Sequence, residues 1–448
     1  MMNDLYEKML EKHFHISYLK PYQELIISRI LEDKDEGRHL DMLACLPTGA
    51  GKSLCFMLPA ALSDDYMILI YPLLALMNDQ AARFLKAGIS AEMLRGNMGK
   101  EARDDAILRL RTKKSHVLIT NIEMLLLMMK WHSIDFMRGR GLTIVLDEAH
   151  TVITWGETFR ESYRETDSVL SYFRPDAVLA FTATMDSRIY RGLIREIFRG
   201  RMPYLVHASC DRQNIFYSVL TSASKKLDLL YLLKDRSLRP SVIFTRTRTE
   251  SEELSSYLGH FIDCRHYHAG LAKEDKEERE DWFIGSHDGV MIATIAFGMG
   301  IDKPDIRSVI HAYLPDSAAA FLQEAGRGGR DGRISYSIVL RYEDEDSPLK
   351  EAFCGESCIR ASLLRAMDES AGSERCLACS VCTGNPFRAK GTAELLRLVR
   401  RHPFKSMKGI IAVICRKNRK ALFTHADASD AMKQMQRQGL ITKRLVFR

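Results

Sequence analysis

The chain lacks any segment apolar enough to cross a bilayer. Its longest apolar run, residues 122–129, is interrupted by Glu123, whereas a spanning helix needs ~20 apolar residues. That run reads as a buried helix or strand. The chain also shows no secretory signal, because the N-terminus MMNDLYEKML has no basic region ahead of an apolar core. It has no close internal repeat, no low-complexity stretch and no composition that predicts disorder. These absences point away from membrane and secreted proteins and toward a soluble, intracellular one. The length of 448 residues implies two to four domains, and 46 % apolar residues suffice for several cores.

A strong overall charge is missing too: the net value is +7. The distribution is uneven, however. Residues 386–448 hold 16 Lys or Arg against 3 Asp or Glu, a surplus of 13 that leaves the rest of the chain at −6. A basic terminal module on a mildly acidic body is an electrostatic footprint for nucleic acid; a solvated face or an acidic protein partner is the alternative. Of ten cysteines, Cys45, Cys55, Cys210, Cys264 and Cys415 sit among apolar neighbours and read as core thiols. The other five fall between 354 and 382, which in an intracellular chain points to metal rather than disulfides.

Residues 1–200 alternate short β-rich apolar runs with helical stretches. Strands are expected at 41–46, 66–71, 116–120, 143–146 and 177–181. None alternates cleanly between polar and apolar residues, the pattern of a parallel sheet covered on both faces. Residues 208–345 repeat the style, with strands at 241–245, 290–294, 309–312 and 335–340 and a helix at 250–258. Pro203 and the polar stretch 209–214 mark a boundary between the halves.

Leu46-Pro-Thr-Gly-Ala-Gly-Lys-Ser53 follows an expected strand and opens an expected helix. Its glycines let backbone N–H groups face phosphate oxygens at a helix N-terminus whose dipole favours anions. Thr48, Gly49, Ala50 and Gly51 form the cradle, Lys52 reaches the β- and γ-phosphates, and the Ser53 hydroxyl ligates Mg²⁺. Leu46 stands where the strict pattern has Gly. Asp147-Glu-Ala-His150 follows the strand at 143–146. There Asp147 can hold hydrated Mg²⁺ and Glu148 can polarise the attacking water. In the second half, Gln323-Glu-Ala-Gly-Arg-Gly-Gly-Arg330 puts Arg327 and Arg330 three apart at an expected helix start, where guanidinium forks suit phosphate oxygens and transition-state charge. No second phosphate loop accompanies them, so one ATP served by both halves is the economical reading.

These segments resemble the ordered motifs of superfamily 2 helicases, specifically the RecQ family, over roughly residues 15–385. The resemblance implies two tandem RecA-like α/β parallel-sheet domains (1–205 binding ATP, then 206–345), a helical Cys₄ zinc module (346–386) and a short winged-helix-like basic domain (387–448). Leu19-Lys-Pro-Tyr-Gln23 is similar to the adenine-reading segment, implying roles for Gln23 and for Lys20, which replaces the usual Arg. Residues 71–80 resemble a strand-contact motif. Phe181-Thr-Ala-Thr184 resembles the motif coupling hydrolysis to domain movement. Residues 267–270 and 293–304 match as well, implying that Thr294 meets nucleic acid and Asp302 the nucleotide. Gln323 belongs to the catalytic set on the same ground. After Asp147-Glu-Ala-His150 the family carries an aromatic-rich loop that senses single strands. Here Trp155 and Phe159 offer stacking faces worth ~1–3 kcal/mol per base, and Arg160 adds charge; core packing of the two aromatics is the alternative. Residues 120–123 lack the usual Pro, and Arg246 replaces an Asn.

The spacing Cys358-x17-Cys376-x2-Cys379-x2-Cys382 suits a closed tetrahedral Zn²⁺ site. An iron–sulfur set would want a further Cys where Pro386 stands. Cys354 is a rival fourth ligand, and the family spacing selects Cys358. Three short helices and a final strand at 439–447 are expected beyond it, with Thr424 or Asp427 capping the last helix, Gly439 ending it, and a basic helix at 405–420 gripping phosphates. The module is short for the family, so a missing or minimal duplex-opening hairpin is expected. The lead reading is a monomeric, cytoplasmic, nucleoid-associated ATP-dependent helicase moving 3′ to 5′ on single-stranded DNA and opening duplex DNA. Its cofactors are ATP, Mg²⁺ and Zn²⁺. An RNA helicase, or an ATPase that only switches binding or annealing, is the alternative.

Overall fold

The computed structural model describes residues 9–16, 18–47, 49–139, 141–154, 161–298, 303–370, 376–384, 386–403, 405–417 and 423–442. Thr48, Trp155, Phe159, Arg160 and Asp302, and most of the expected final strand, lie outside them. The chain divides into two compact units, Met1–Cys210 and Asp211–Arg448.

In the first unit the strands are β1 (Leu40–Cys45), β2 (Tyr66–Ile70), β3 (Ala91–Met93), β4 (Val117–Thr120), β5 (Leu142–Leu146), β6 (Ala177–Thr182) and β7 (Tyr204–His207). They form one parallel sheet in the order β3-β4-β2-β5-β6-β1-β7. Alternate residues feed opposite faces: Leu43, Ile68, Ile144 and Val178 join one apolar cluster, while Met42, Leu69, Val145 and Leu179 join another. Both faces are covered, which is why the strands read as continuous apolar runs. The run 122–129 is a helix, Ile122–Lys130, capped by the Asn121 side chain on the Met124 N–H.

The second unit carries β8 (Ile215–Thr221), β9 (Ser241–Phe244), β10 (Cys264–Tyr267), β11 (Val290–Ala293), β12 (Ser308–His311) and β13 (Ser335–Arg341), ordered β10-β11-β9-β12-β13-β8 and again parallel. This is the two-domain RecA-like architecture. The expected boundary at 205 is corrected, because β7 (204–207) pairs with β1, Met42 opposite Tyr204, and the first sheet therefore runs past it.

The basic tail folds as helices Lys390–Arg400, Met407–Lys417 and His425–Arg437. Of the two expected caps, Thr424 is the N-cap, and Asp427 closes a capping box with it. These helices share one core with the second sheet: Leu395, Leu398, Ile414, Met432 and Met435 cluster with Leu227, Leu230, Ile243 and Ile338. Among the described residues no helix is long and apolar enough to cross a membrane.

Candidate active site and metal centre

The sheet order places the chemistry. β6 lies between β1 and β5, so three chain segments leave the carboxyl edge side by side: the glycine loop after β1, Asp147–His150 after β5, and Ala183–Thr184 after β6. Ligands of open parallel sheets bind at that edge.

The loop is built around glycines. Gly49 and Gly51 have φ of 80° and 82°, values that side-chain-bearing residues rarely adopt. A Cβ on Gly51 would also lie 2.7 Å from Gln23 Nε2. Gln23 is buried, and its amide donates to the carbonyls of Ala50 and Gly51, each at 3.2 Å, while its Oε1 accepts from the Lys20 N–H at 2.9 Å. Tyr22 adds an O–H bond to the Ala50 carbonyl at 2.9 Å. The segment assigned to adenine thus also braces the phosphate loop. Lys20 itself is exposed.

Lys52 Nζ lies 3.3 Å from Glu148 Oε1. Burial opposes the ammonium charge, yet Glu148 and Asp147 outweigh it and hold the Lys52 pKa above its ordinary value. Burial, with Glu148 adding repulsion against the pull of Lys52, pushes Asp147 up to about 6. Two carboxylates and one ammonium leave a surplus of negative charge, the donor set for a hard divalent cation. The residues present therefore fit a hard divalent cation such as Mg²⁺. Glu148 has a φ of 50°, a conformation that costs a non-glycine residue on the order of 1 kcal/mol and is held by surrounding contacts. Here its N–H donates to Asp147 Oδ1 at 2.9 Å, and its carbonyl accepts from Thr151 Oγ1 at 2.8 Å.

Sequence reasoning missed two links. His150 Nδ1 lies 3.1 Å from Thr182 Oγ1, tying the acidic segment to the 181–184 segment. The Ser53 hydroxyl donates to Gln80 Oε1 at 3.1 Å. Both join residues about thirty positions apart or within different motifs, so no local spacing announces them.

In the second unit Gln323 lies on the helix Ala318–Ala325. Arg327 and Arg330 do not start a helix; they follow its C-terminal end in a glycine-rich turn. Gly326 ends the helix, and the turn folds against Arg212 and Asn214, whose side chains donate to the Gly329 carbonyl at 2.8 Å each. Arg327 is 6 % exposed. Thr294 is also buried, its N–H bonded to the Tyr267 carbonyl at 3.1 Å.

Cys358, Cys376, Cys379 and Cys382 converge, with all four sulfurs within 4.8 Å of one another. Zn–S bonds of ~2.3 Å give a tetrahedron edge of ~3.8 Å, and Cys358 Sγ is 3.8 Å from Cys379 Sγ. Backbone N–H groups of Ala361, Ala378 and Cys382 point at three of the sulfurs at 3.4 to 3.5 Å, an arrangement that favours thiolates. The set fits a tetrahedral thiophilic metal, and the exposed Cys354 is outside it. The module joins the sheet through β8, where the Tyr217 N–H donates to the Ala378 carbonyl at 2.9 Å.

Residues 20–191 match the DEAD/DEAH box helicase family, and residues 224–332 match the helicase conserved C-terminal domain. A putative ATP-dependent RNA helicase, R290, of Acanthamoeba polyphaga mimivirus is 30% identical over 84% of this chain and 72% of its own length. The ATP-dependent DNA helicase RecQ of Pasteurella multocida is 30% identical over 79% of this chain, which spans only 56% of that protein. Among solved structures, Mss116p bound to single-stranded RNA and AMP-PNP shares the fold with a TM-score of 0.65 at 17% identity, over 97% of this chain and 91% of that one. With the phosphate loop, the Asp147-Glu-Ala-His150 strand end and the Cys₄ cluster in place, the chain belongs to the RecQ family of superfamily 2 ATP-dependent helicases.

Proposed function

We propose that this chain hydrolyses ATP to move 3′ to 5′ along single-stranded DNA and to open duplex DNA during repair and recombination. The observation that carries the reading is the Lys52–Glu148–Asp147 cluster at the ends of β1 and β5. Lys52 binds the β- and γ-phosphates, Ser53 and Asp147 hold Mg²⁺, and Glu148 orients and polarises the attacking water. Bound Mg²⁺ supplies positive charge against the phosphate oxygens. Gln323, Arg327 and Arg330 stabilise charge on the transferring phosphoryl group, and Lys20, Gln23 and Asp302 complete the nucleotide contacts. Trp155, Phe159, Arg160 and Thr294 meet the single strand. Cys358, Cys376, Cys379 and Cys382 hold Zn²⁺ as a structural ion. DNA as the track is supported by RecQ membership and by the basic tail; RNA as the track is the second reading, favoured by the name of the mimiviral relative.

Steady-state ATP hydrolysis without nucleic acid, with single-stranded DNA and with single-stranded RNA tests this, beside Lys52→Ala. The expected result is strong stimulation by DNA, with kcat reduced at least about 100-fold in the variant, followed by strand separation in an unwinding assay. Stronger stimulation by RNA would transfer the assignment to RNA. Hydrolysis indifferent to both would refute coupling between strand and nucleotide.

A further inference from the structure

Ser53 presents a problem of proton placement. A serine hydroxyl that gives a lone pair to a cation keeps its hydrogen, and that hydrogen needs an acceptor turned away from the metal. Asp147 belongs to the metal's own ligand set. The acceptor that Ser53 uses is Gln80 Oε1, at 3.1 Å.

Gln80 is an unusual residue to find there. It is 3 % exposed, on the inner face of the helix Leu74–Lys86, and among the described residues its buried Nε2 has no hydrogen-bond partner. Tyr71, at the start of the same segment, is also buried, and its hydroxyl likewise has no partner among the described residues. The Asp147 N–H donates to the carbonyl of Ile70, the residue before Tyr71, at 3.1 Å, so Tyr71 leaves its strand beside the one that ends in Asp147. An unpaired buried amide or hydroxyl carries an uncompensated desolvation cost. Two of them beside one nucleotide site are what a hydrated cation and its phosphate oxygens would satisfy.

We propose that Gln80 is a positioning residue for the metal: it takes the Ser53 proton in a hydrogen bond, fixes the serine lone pair toward Mg²⁺, and offers Nε2 to the oxygens of the bound assembly. Tyr71 serves the same assembly from the other end of the segment. Residues 71–80 resemble a strand-contact motif, so the segment has two faces. Its outer residues meet nucleic acid, while Gln80 reaches the metal serine directly, and a shift of the helix Leu74–Lys86 on strand binding alters metal affinity through one hydrogen bond. This inference rests on the assignment of an Mg²⁺–ATP site to this loop.

The test is nucleotide affinity of the full chain, read with a fluorescent ADP analogue in excess Mg²⁺ and in EDTA. Gln80→Leu is expected to lower the ratio of the two affinities about tenfold while leaving the EDTA value unchanged. Ser53→Ala should lower the same ratio, and the double variant should lower it no more than either alone. Gln80→Glu retains the acceptor for Ser53 and should keep a clearly higher ratio than Gln80→Leu, which guards against a Gln80→Leu chain that does not fold. Equal weakening with and without Mg²⁺, additive losses, or a collapsed ratio in Gln80→Glu would overturn the proposal. Wild-type binding indifferent to Mg²⁺ would instead refute the underlying site assignment.

Discussion

Asp228 accepts three hydrogen bonds from two other parts of the second unit. Its Oδ1 takes the Thr392 N–H at 3.0 Å, and its Oδ2 takes the Thr392 and Ser222 hydroxyls at 2.6 Å each. Truncation to Ala leaves these donors buried and unpaired and should destabilise the unit by about 3 kcal/mol, read from the denaturant midpoint at constant slope. Burial raises the Asp228 pKa against the pull of those donors. A carboxylate whose folded pKa is raised contributes stability that is fully present below its unfolded value and is lost as pH rises through the folded one. The stability of the wild-type chain relative to Asp228→Asn should therefore fall as pH rises above the ordinary carboxylate range; a constant difference would show that the group titrates alike in both states. Nothing near Asp228 in the sequence hints at this role, since Thr392 is remote along the chain. Lys52, Asp147 and Glu148 were legible for the opposite reason: each sits at a fixed offset from its own strand, so local pattern reports its place. Gln80 and His150 act through partners contributed by other strands, and only the sheet order reveals them.

At the level of elements, the strands that sequence patterning found are interior ones, buried on both faces. Those it did not find are edges or fragments: β3 has three residues, β7 is mostly exposed, and β10 and β8 close the two ends of the second sheet with partly covered faces. Apolar periodicity reports burial, and an edge strand has less of it to report. The edge position of β8 also decides what the Cys₄ module does. Tyr217 of β8 bridges Cys379 and bonds Ala378, so the module covers an edge that would otherwise be open. Metal removal by a chelator, or Cys382→Ser, should release that edge. The expected outcome is faster amide exchange across Ile215–Thr221 and a melting temperature lower by at least about 5 °C; unchanged exchange at Tyr217 would mean that the module docks without its metal. A second element contact is set by a glycine. A Cβ on Gly391 would lie 2.6 Å from Leu227 backbone and side-chain atoms. Gly391→Leu should therefore push the helix Lys390–Arg400 off the helix Lys225–Leu233, at a cost of roughly 1–3 kcal/mol, measured by denaturation.

Over the whole molecule, charge and apolar pattern give different divisions of the chain, and the apolar pattern governs folding. The surplus of 13 positive charges in 386–448 made the tail look like a separate nucleic-acid module. Its described Lys and Arg residues are indeed exposed, but its apolar ones join the core of the second sheet, with Leu398, Ile410, Ile414 and Met435 against Leu227, Leu230 and Leu233. Polar ties reinforce the junction: Lys226 bonds Asp427 at 2.7 Å, Gln438 bonds the Ser222 carbonyl at 2.7 Å, and Gln434 bonds Asp344 at 2.9 Å. Composition cannot show this, because a helix that shares a neighbour's core has the same amphipathic sequence as one that builds its own. The consequence is specific. If the tail were an independent appendage, a chain ending at residue 386 would fold, hydrolyse ATP and merely bind DNA more weakly and with a smaller salt dependence. With a shared core, the same truncation uncovers the leucine face of Lys225–Leu233, an exposed apolar patch of the kind that drives aggregation. The truncated chain should bind a hydrophobic dye, elute as aggregate on size exclusion, and melt without a cooperative transition for the second unit. A monomeric truncated chain with the wild-type melting temperature would refute the shared core, and the DNA affinity of that chain would then measure the tail's charge alone.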